Sequence, residues 1–234
     1  MHLTVSQDRS RLYTLTAFAI FVIALVGFAR TYYLRTWFDV PPLTLRLHLH
    51  GLVLTLWLVL FLFQSILISV GRRNLHRRLG FVGVGVAAAV IATTYSTAIE
   101  AAHLDGARGG ITAADRLYST AVVLLLFGVF VTIGVVFRRR PDVHKRSMLL
   151  ATITIVGPAA ARAAILLVGR GIRDPHIIVM TALLLVALWS DWRRRGRPHW
   201  LLVCGALVLI VSQVTRRLVG GSEAWAVIGN WLIG

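Results

Sequence analysis

Residues 47–71 read LHLHGLVLTLWLVLFLFQSILISVG and contain no Asp, Glu, Lys or Arg. A helix needs about 20 residues to cross the hydrocarbon core of a bilayer, and helices inside soluble proteins are rarely so long and so free of charge. Six further runs have nearly the same character, at 13–29, 79–99, 117–137, 147–169, 176–190 and 200–215. The sequence therefore predicts an all-α fold, a bundle of seven transmembrane helices.

The composition leaves little material for a separate water-soluble domain. Hydrophobic residues make up 57% of the chain, and its mean hydropathy is +0.77. We expect a single integral membrane domain over residues 1–234. The first run is longer than the apolar part of a secretory signal and ends without a small-residue cleavage pattern, so we expect it to remain as an anchor.

The 25 basic residues outnumber the 9 acidic ones, and most of them form short clusters at the ends of the apolar runs. This arrangement is typical of membrane orientation and of contact with anionic lipids at the cytoplasmic face, and it argues against nucleic acid as a partner. Fifteen basic residues fall on the side of the N-terminal tail, and nine fall on the opposite side. The positive-inside rule then predicts a cytoplasmic N-terminus and a C-terminus outside.

The last part of the chain, Ser222–Gly234, is apolar but too short to cross a bilayer. It contains Trp225 and Trp231, and tryptophan side chains favour the depth of the lipid headgroups. We expect a short interfacial C-terminal helix on the outer leaflet.

One face of the second run carries a stripe of larger side chains. At 100° per residue, four of them fall within about 40° of one direction: His50, Trp57, Phe61 and Gln64. His48 lies about 200° away from His50, so only one of the two histidines points into the bundle. We favour His50, which is followed by Gly51, where a partner can approach closely. Alternatively, both histidines anchor the helix in the outer headgroup region.

The outer end of the third run holds a carboxylate and a histidine, Glu100 and His103, on one helix face with Thr93 and Ser96. A Glu and a His three positions apart are half of the arrangement in di-iron carboxylate bundles, which need a second such pair. Together with His50, these two residues form a candidate metal-ligand set of His50, Glu100 and His103. The alternative is that they lie where a helix end enters water.

The fifth run carries one charge, Arg162, about 10 Å of helical rise inside its outer end. A guanidinium at that depth is costly unless it finds a partner or reaches the interface. We expect an ion pair with Glu100, in a polar cluster formed by Arg162, Glu100, His50 and Gln64, and a bend at Pro158, which removes a helix hydrogen bond. The alternative is that Arg162 extends to the headgroups.

Two histidines begin helices on the cytoplasmic side, His76 in Leu75-His76-Arg77-Arg78 and His144 in Asp142-Val143-His144-Lys145. Neighbouring positive charge and a helix N-terminus both disfavour imidazolium, and neutral imidazole can ligate iron. His76 and His144 are therefore the pair that we expect to bind a haem b, if one is present. The alternative is that they are ordinary interfacial residues contacting lipid phosphates.

The order of these features resembles a bacterial family of predicted membrane proteins, catalogued as domain of unknown function twenty-three-oh-six. The resemblance rests on His50, Gln64, the segment 75–80 (LHRRLG), the segment 144–148 (HKRSM) and Arg162. It covers roughly residues 45–165, and it implies a multi-pass protein of the bacterial inner membrane. Such families are compared with the two-haem cytochromes b of transmembrane ferrireductases, which carry histidines on four central helices.

The chain departs from that cytochrome pattern, because its fourth run, 117–137, has no histidine. The resemblance therefore favours one redox site over two. Three functions remain open: membrane redox chemistry with one haem or metal, transport of a solute through an outward-facing polar pocket, and a structural or assembly role as a subunit of a membrane complex. Whether the protein is an enzyme is left open.

Overall fold

The computed structural model describes residues 2–105, 113–169, 174–225 and 227–228, and all regular structure in these residues is helical. The elements in chain order are α1 (His2–Phe28), α2 (Leu45–Ser69), α3 (Arg73–Asp105), α4 (Ala113–Val136), α5 (Pro141–Ile155), α6 (Gly157–Val168), α7 (Pro175–Arg195) and α8 (Trp200–Gly220). A π-helical turn (Ala29–Tyr33) and a 3-10 turn (Arg35–Trp37) continue α1.

Six helical stretches of the described residues are long and apolar enough to cross a membrane. The helices α5 and α6 form a seventh if they count as one span, since they meet at a bend of 58°. The prediction of an all-helical fold with six or seven helices able to cross a membrane is confirmed at this level. Most of the interfacial helix predicted for Ser222–Gly234, including Trp231, lies outside the described residues.

The bend between α5 and α6 falls at Val156, and local chemistry explains it. Pro158 has no N–H, so the carbonyl of Thr154 loses its helical donor, and Gly157 offers little resistance to a change of direction. The two halves have different neighbours: α5 packs against α4 and α8, whereas α6 packs against α1 and α7. The bent span formed by α5 and α6, which we name span five, thus lies at the centre of the bundle.

Side-chain burial separates the lipid-facing surfaces from the core. Along α2, apolar residues at helical spacing are exposed: Leu52, Leu56, Val59 and Phe63. On the opposite face Trp57 is buried, stacks edge-on against Phe127 and donates its indole N–H to the Thr152 hydroxyl at 3.3 Å. Since hydrocarbon is the natural environment of the exposed stripe, the pattern fits a helix at the rim of a membrane bundle.

One end of the bundle collects most of the arginine clusters, and we name it the arginine-rich end. It comprises the starts of α3, α5 and α8, the ends of α2, α4 and α7, and the segment of α1 around Tyr13. Contacts across it include Lys145 over the Tyr13 ring, at 4.8 Å from the centroid. Several buried polar side chains also lie here: Arg146, Ser147, Ser190, Asp191 and His199.

Candidate functional site

His76 and His144, from the starts of α3 and α5, face each other at the arginine-rich end. Their ring centroids are 6.0 Å apart, and the ring planes are nearly perpendicular, at 87°. Their sequence positions are 68 apart, so the fold alone brings them together. This is the pair that the sequence singles out as haem ligands.

The tautomer of the His144 ring is set by the end of α4. Nδ1 of His144 lies 2.8 Å from the carbonyl oxygen of Gly134. A carbonyl only accepts, so Nδ1 carries the hydrogen and Nε2 of the neutral ring keeps a free lone pair. Histidines that bind metals are commonly fixed in this way, by a carbonyl on the other ring nitrogen.

Around His76, only some of the buried hydrogen-bonding groups have partners. The Gln64 amide donates from Nε2 to the backbone carbonyl of His76 at 3.2 Å. Within the part of the chain that the structure describes, three enclosed atoms around this pair have no hydrogen-bond partner: Nδ1 of His76, Oε1 of Gln64 and Oγ of Ser147. Ser147 lies one turn after His144, beside Gly134. Buried polar atoms without partners are rare and call for a physical explanation.

A second polar arrangement lies next to the histidine pair, and its centre is an ion pair between α5 and α7. Arg146 donates from Nε and Nη2 to the two carboxylate oxygens of Asp191, at 2.7 and 2.5 Å. The side chains are only 2% and 5% exposed. Arg146 also donates from Nη1 to the carbonyl of Asp142, and Asp191 accepts from the backbone N–H of His199 at 3.0 Å. The pair therefore fastens α5, α7 and the start of α8 together.

His199 completes this network and caps α8. Its Nδ1 accepts from the N–H of Leu201 at 3.2 Å, so Nε2 carries the hydrogen and donates to Asp142 at 3.2 Å. Burial lowers the pKa of His199 below its ordinary value of 6.5, and the charge of Arg146 lowers it further, while the bond to Asp142 acts in the opposite direction. The folded state therefore favours the neutral form of the ring.

The sequence patterns did not predict this network. Arg146 falls within the segment 144–148 (HKRSM), but no pattern pointed to a role for it, for Asp142, for Asp191 or for His199. A signal was present, because Asp191 is an acidic residue directly after the apolar run 176–190. An acid at such a position needs a partner when it is buried.

The predicted ion pair between Arg162 and Glu100 is not formed. Arg162 is exposed; its guanidinium lies over the Phe28 ring, 4.8 Å from the centroid, and donates to the Pro158 carbonyl at 3.1 Å. The physical reason is the helix arrangement, since α6 packs on α1 and α7 whereas α3 packs on α2 and α4. The geometry does not show the alternative either, an arginine that extends to the headgroups, because the guanidinium lies back toward Pro158, one turn before Arg162.

The predicted metal set of His50, Glu100 and His103 is not assembled either, and the His103 side chain lies outside the described part. No group of three or more His, Cys, Asp or Glu side chains among the described residues could hold a metal ion. Helix register explains why. From the Gln64–His76 contact, His50 lies about 21 Å along α2 and Glu100 about 36 Å along α3, so the two differ in depth by about 15 Å.

The predicted polar cluster of Arg162, Glu100, His50 and Gln64 therefore does not form as one group, because Gln64 lies at the arginine-rich end and the others lie far from it. His50 itself is half-buried and its Nδ1 has no partner among the described atoms, whereas His48 is exposed. The Tyr32 ring lies against Gly51, the close approach that the sequence suggested.

Comparison of the chain with models of protein families, with curated proteins and with solved structures finds no match in any of the three. The resemblance to the family of predicted membrane proteins stays a prediction. The geometry of the arginine-rich end is therefore the basis for a proposed function.

Proposed function

We propose that this protein holds one haem b iron between His76 and His144 and takes part in membrane redox chemistry. One observation carries the proposal, the 6.0 Å separation of the two ring centroids. If His76 and His144 held one iron, each through a metal–nitrogen bond of about 2 Å, their ring centroids would be about 6 Å apart.

The hydrogen bonding of the site supports the same assignment. The Gly134 carbonyl directs Nε2 of His144 to act as an acceptor or a ligand. The enclosed atoms without partners, on His76, Gln64 and Ser147, are polar groups available to a bound group or its waters. The donor set, two imidazoles on different helices, is one that haem iron accepts.

When bound, the haem would supply one-electron transfer. The chain's own residues then have separate tasks. His76 and His144 orient the ligating nitrogens, Gly134 fixes the tautomer of one ring, and the Arg146–Asp191 pair holds α5 at the height that brings His144 to His76.

The setting of the protein is part of the proposal. We place the arginine-rich end in the cytoplasm, the C-terminus outside, and the chain in a bacterial inner membrane. Exposed arginines at this end, such as Arg72, Arg77 and Arg139, would contact anionic lipids. An electron donor or acceptor among the subunits of a membrane complex is the expected protein partner.

The transporter alternative has lost its main support, because Arg162 and Glu100 do not come together. The assembly-subunit alternative predicts a folded, colourless protein. A spectrum therefore separates the proposal from both.

The test is the visible absorption spectrum of the detergent-purified protein, produced with sufficient haem, in its oxidised and reduced forms. We expect a Soret band and reduced α and β bands of a six-coordinate b haem. His76→Ala and His144→Ala should each lose the six-coordinate spectrum, whereas His48→Ala, at the opposite end of the bundle, should keep it. Added imidazole should restore the spectrum of the two alanine variants, which shows that loss of a ligand and not of the fold is the cause.

Wild-type protein that is monodisperse, haem-free and unable to take up added haem would overturn the assignment. So would a haem spectrum that both alanine variants retain unchanged.

A further inference from the structure

Arg162 is a charged side chain on a helix face of α6 that is otherwise apolar. The residues four positions before and after it, Pro158 and Leu166, share its face at helical spacing, and all three are exposed. Ile165, on the same side of the helix, is exposed as well. A guanidinium within such a face is costly in hydrocarbon unless an anion neutralises it.

The Arg162 side chain carries its charge away from the membrane surface. Its Nη1 donates to the carbonyl of Pro158 at 3.1 Å, and the guanidinium lies 4.8 Å from the centroid of the Phe28 ring. Pro158 comes ten residues, or about 15 Å of helical rise, before the end of α6 at Val168. The side chain therefore points toward the bend of span five and not toward the lipid headgroups.

No carboxylate of the described structure balances the charge of Arg162. Among the described side chains, the charged group that acts on it is Arg116, at the start of α4, which is also positive. Apart from the Nη1 bond to Pro158, the guanidinium N–H groups have no acceptor among the described residues. The planar fork of an arginine is matched to a carboxylate, which it binds through two parallel hydrogen bonds.

A second copy of this chain is a poor source of that carboxylate. The exposed acidic side chains of the described residues lie at or beyond the ends of the spans: Asp39, Asp142 and Glu223. Glu100 lies within α3, but its Oε2 is enclosed in the protein. These positions favour a different chain as the source of the carboxylate.

We propose that the α6 face around Arg162 is a docking surface for a transmembrane helix of a partner subunit, and that this helix carries an Asp or Glu at the depth of Arg162. The depth argues against a lipid phosphate, because phosphates lie at the membrane surface and the guanidinium points away from it. Polar contacts hold helices together in bilayers, where hydrophobic burial supplies little driving force. The proposal adds to the membrane complex the surface by which this chain joins it, and it does not rest on the haem site.

The probe is a synthetic transmembrane helix of Leu and Ala with one Glu near its middle, and the control peptide carries Gln there instead. Energy transfer between the labelled peptide and the full chain, in phosphatidylcholine vesicles, measures binding. We expect wild type to bind the Glu peptide about tenfold more tightly than the Gln peptide, which is the size of one interhelical polar contact in model peptides. Arg162→Leu should bind the two peptides equally.

Arg193→Leu is the matched control. Arg193 is also exposed and also lies over an aromatic ring, that of Trp189, but at the arginine-rich end. This variant should keep the preference for the Glu peptide. Equal binding of the two peptides to wild type, or a preference that Arg162→Leu retains, would overturn the proposal.

Two further measurements locate the charge pair. Moving the Glu by two turns, about 11 Å, toward either end of the peptide should remove the preference, since the two charges then differ in depth. Infrared spectra of an isotope-labelled Glu should show an ionised carboxylate beside wild type and a protonated carboxyl beside Arg162→Leu. If phosphatidylglycerol added to the vesicles abolishes the preference for Glu, the guanidinium binds a lipid phosphate and the partner helix is excluded.

Discussion

Arg146 and Asp191 are joined by two parallel hydrogen bonds between α5 and α7, although 45 residues separate them in the chain. Both side chains are almost fully buried. Since a carboxylate shared in this way is matched to the planar guanidinium, the pair fixes the angle and the height of α5 in the bundle.

Breaking this pair from one side should be strongly destabilising. Arg146→Leu leaves the Asp191 carboxylate buried and unpaired, and we expect a loss of about 3–5 kcal/mol, which is the usual cost of removing one partner of a buried pair. Thermal unfolding in detergent, followed by light scattering or a tryptophan signal, would measure it.

A control residue, Arg162, lies in the same bent span formed by α5 and α6. Arg162 is exposed and has no carboxylate partner in the described structure, so Arg162→Leu should cost much less than Arg146→Leu. The double variant Arg146→Met with Asp191→Leu should recover much of the loss, because it leaves no buried charge. Equal losses for Arg146→Leu and Arg162→Leu would contradict this account.

Stability should depend on pH through His199. Because the folded state lowers the pKa of His199, its contribution is complete above the ordinary pKa of 6.5 and is lost as the pH falls through the lower folded-state pKa. Unfolding temperatures measured between pH 7.5 and 4.5 should fall more steeply in wild type than in His199→Asn. Asparagine can still cap α8, yet it does not titrate. Parallel curves would exclude His199 as the group responsible.

Helix contact between α1 and α6 should not tolerate a single methyl group. A Cβ at Gly27 would overlap the backbone carbonyl of Ala159, and backbone cannot move aside as a flexible side chain can. We expect Gly27→Ala to cost about 1–3 kcal/mol, the range for overpacking. Gly85→Ala is the matched control, because a Cβ there meets open space, and it should be neutral or slightly stabilising.

Membrane orientation can be measured directly. Reporter fusions should place a tag after Arg140 in the cytoplasm and a tag at the C-terminus outside, since the arginine-rich end faces the side favoured by positive charge. Both tags on the same side would mean that the chain crosses the membrane an even number of times between these two points, and that α5 and α6 do not form one span.

The spans could be predicted because hydrocarbon imposes a simple requirement on length and charge, and each apolar run of the sequence lies on one helix or on the bent pair. The bend near Pro158 could also be predicted, since proline lacks the N–H that the helix needs and is visible in the sequence. Which helices are neighbours could not be predicted, because the lipid-facing and bundle-facing sides of each helix are both apolar. For this reason the predicted ion pair of Arg162 with Glu100 was wrong: the fold places the two residues on helices with different neighbours.

The histidine pair, too, could be predicted only in part from the sequence. That His76 and His144 share one end of the bundle follows from counting spans, but their 6.0 Å separation depends on how α3 and α5 pack around the end of α4. The Arg146–Asp191 pair was not predicted because charge clusters beside membranes are usually solvated, and the position of Asp191 after an apolar run does not by itself identify Arg146 as its partner.

The separation of Arg146 from Asp191 along the chain also has a consequence for biosynthesis. The ribosome releases α5 well before α7, so the arginine reaches the membrane while its carboxylate partner has not yet been translated. The charge of Arg146 is therefore neutralised only after α7 has been inserted. We expect the span formed by α5 and α6 to reach its final position late, after the C-terminal helices have entered the membrane.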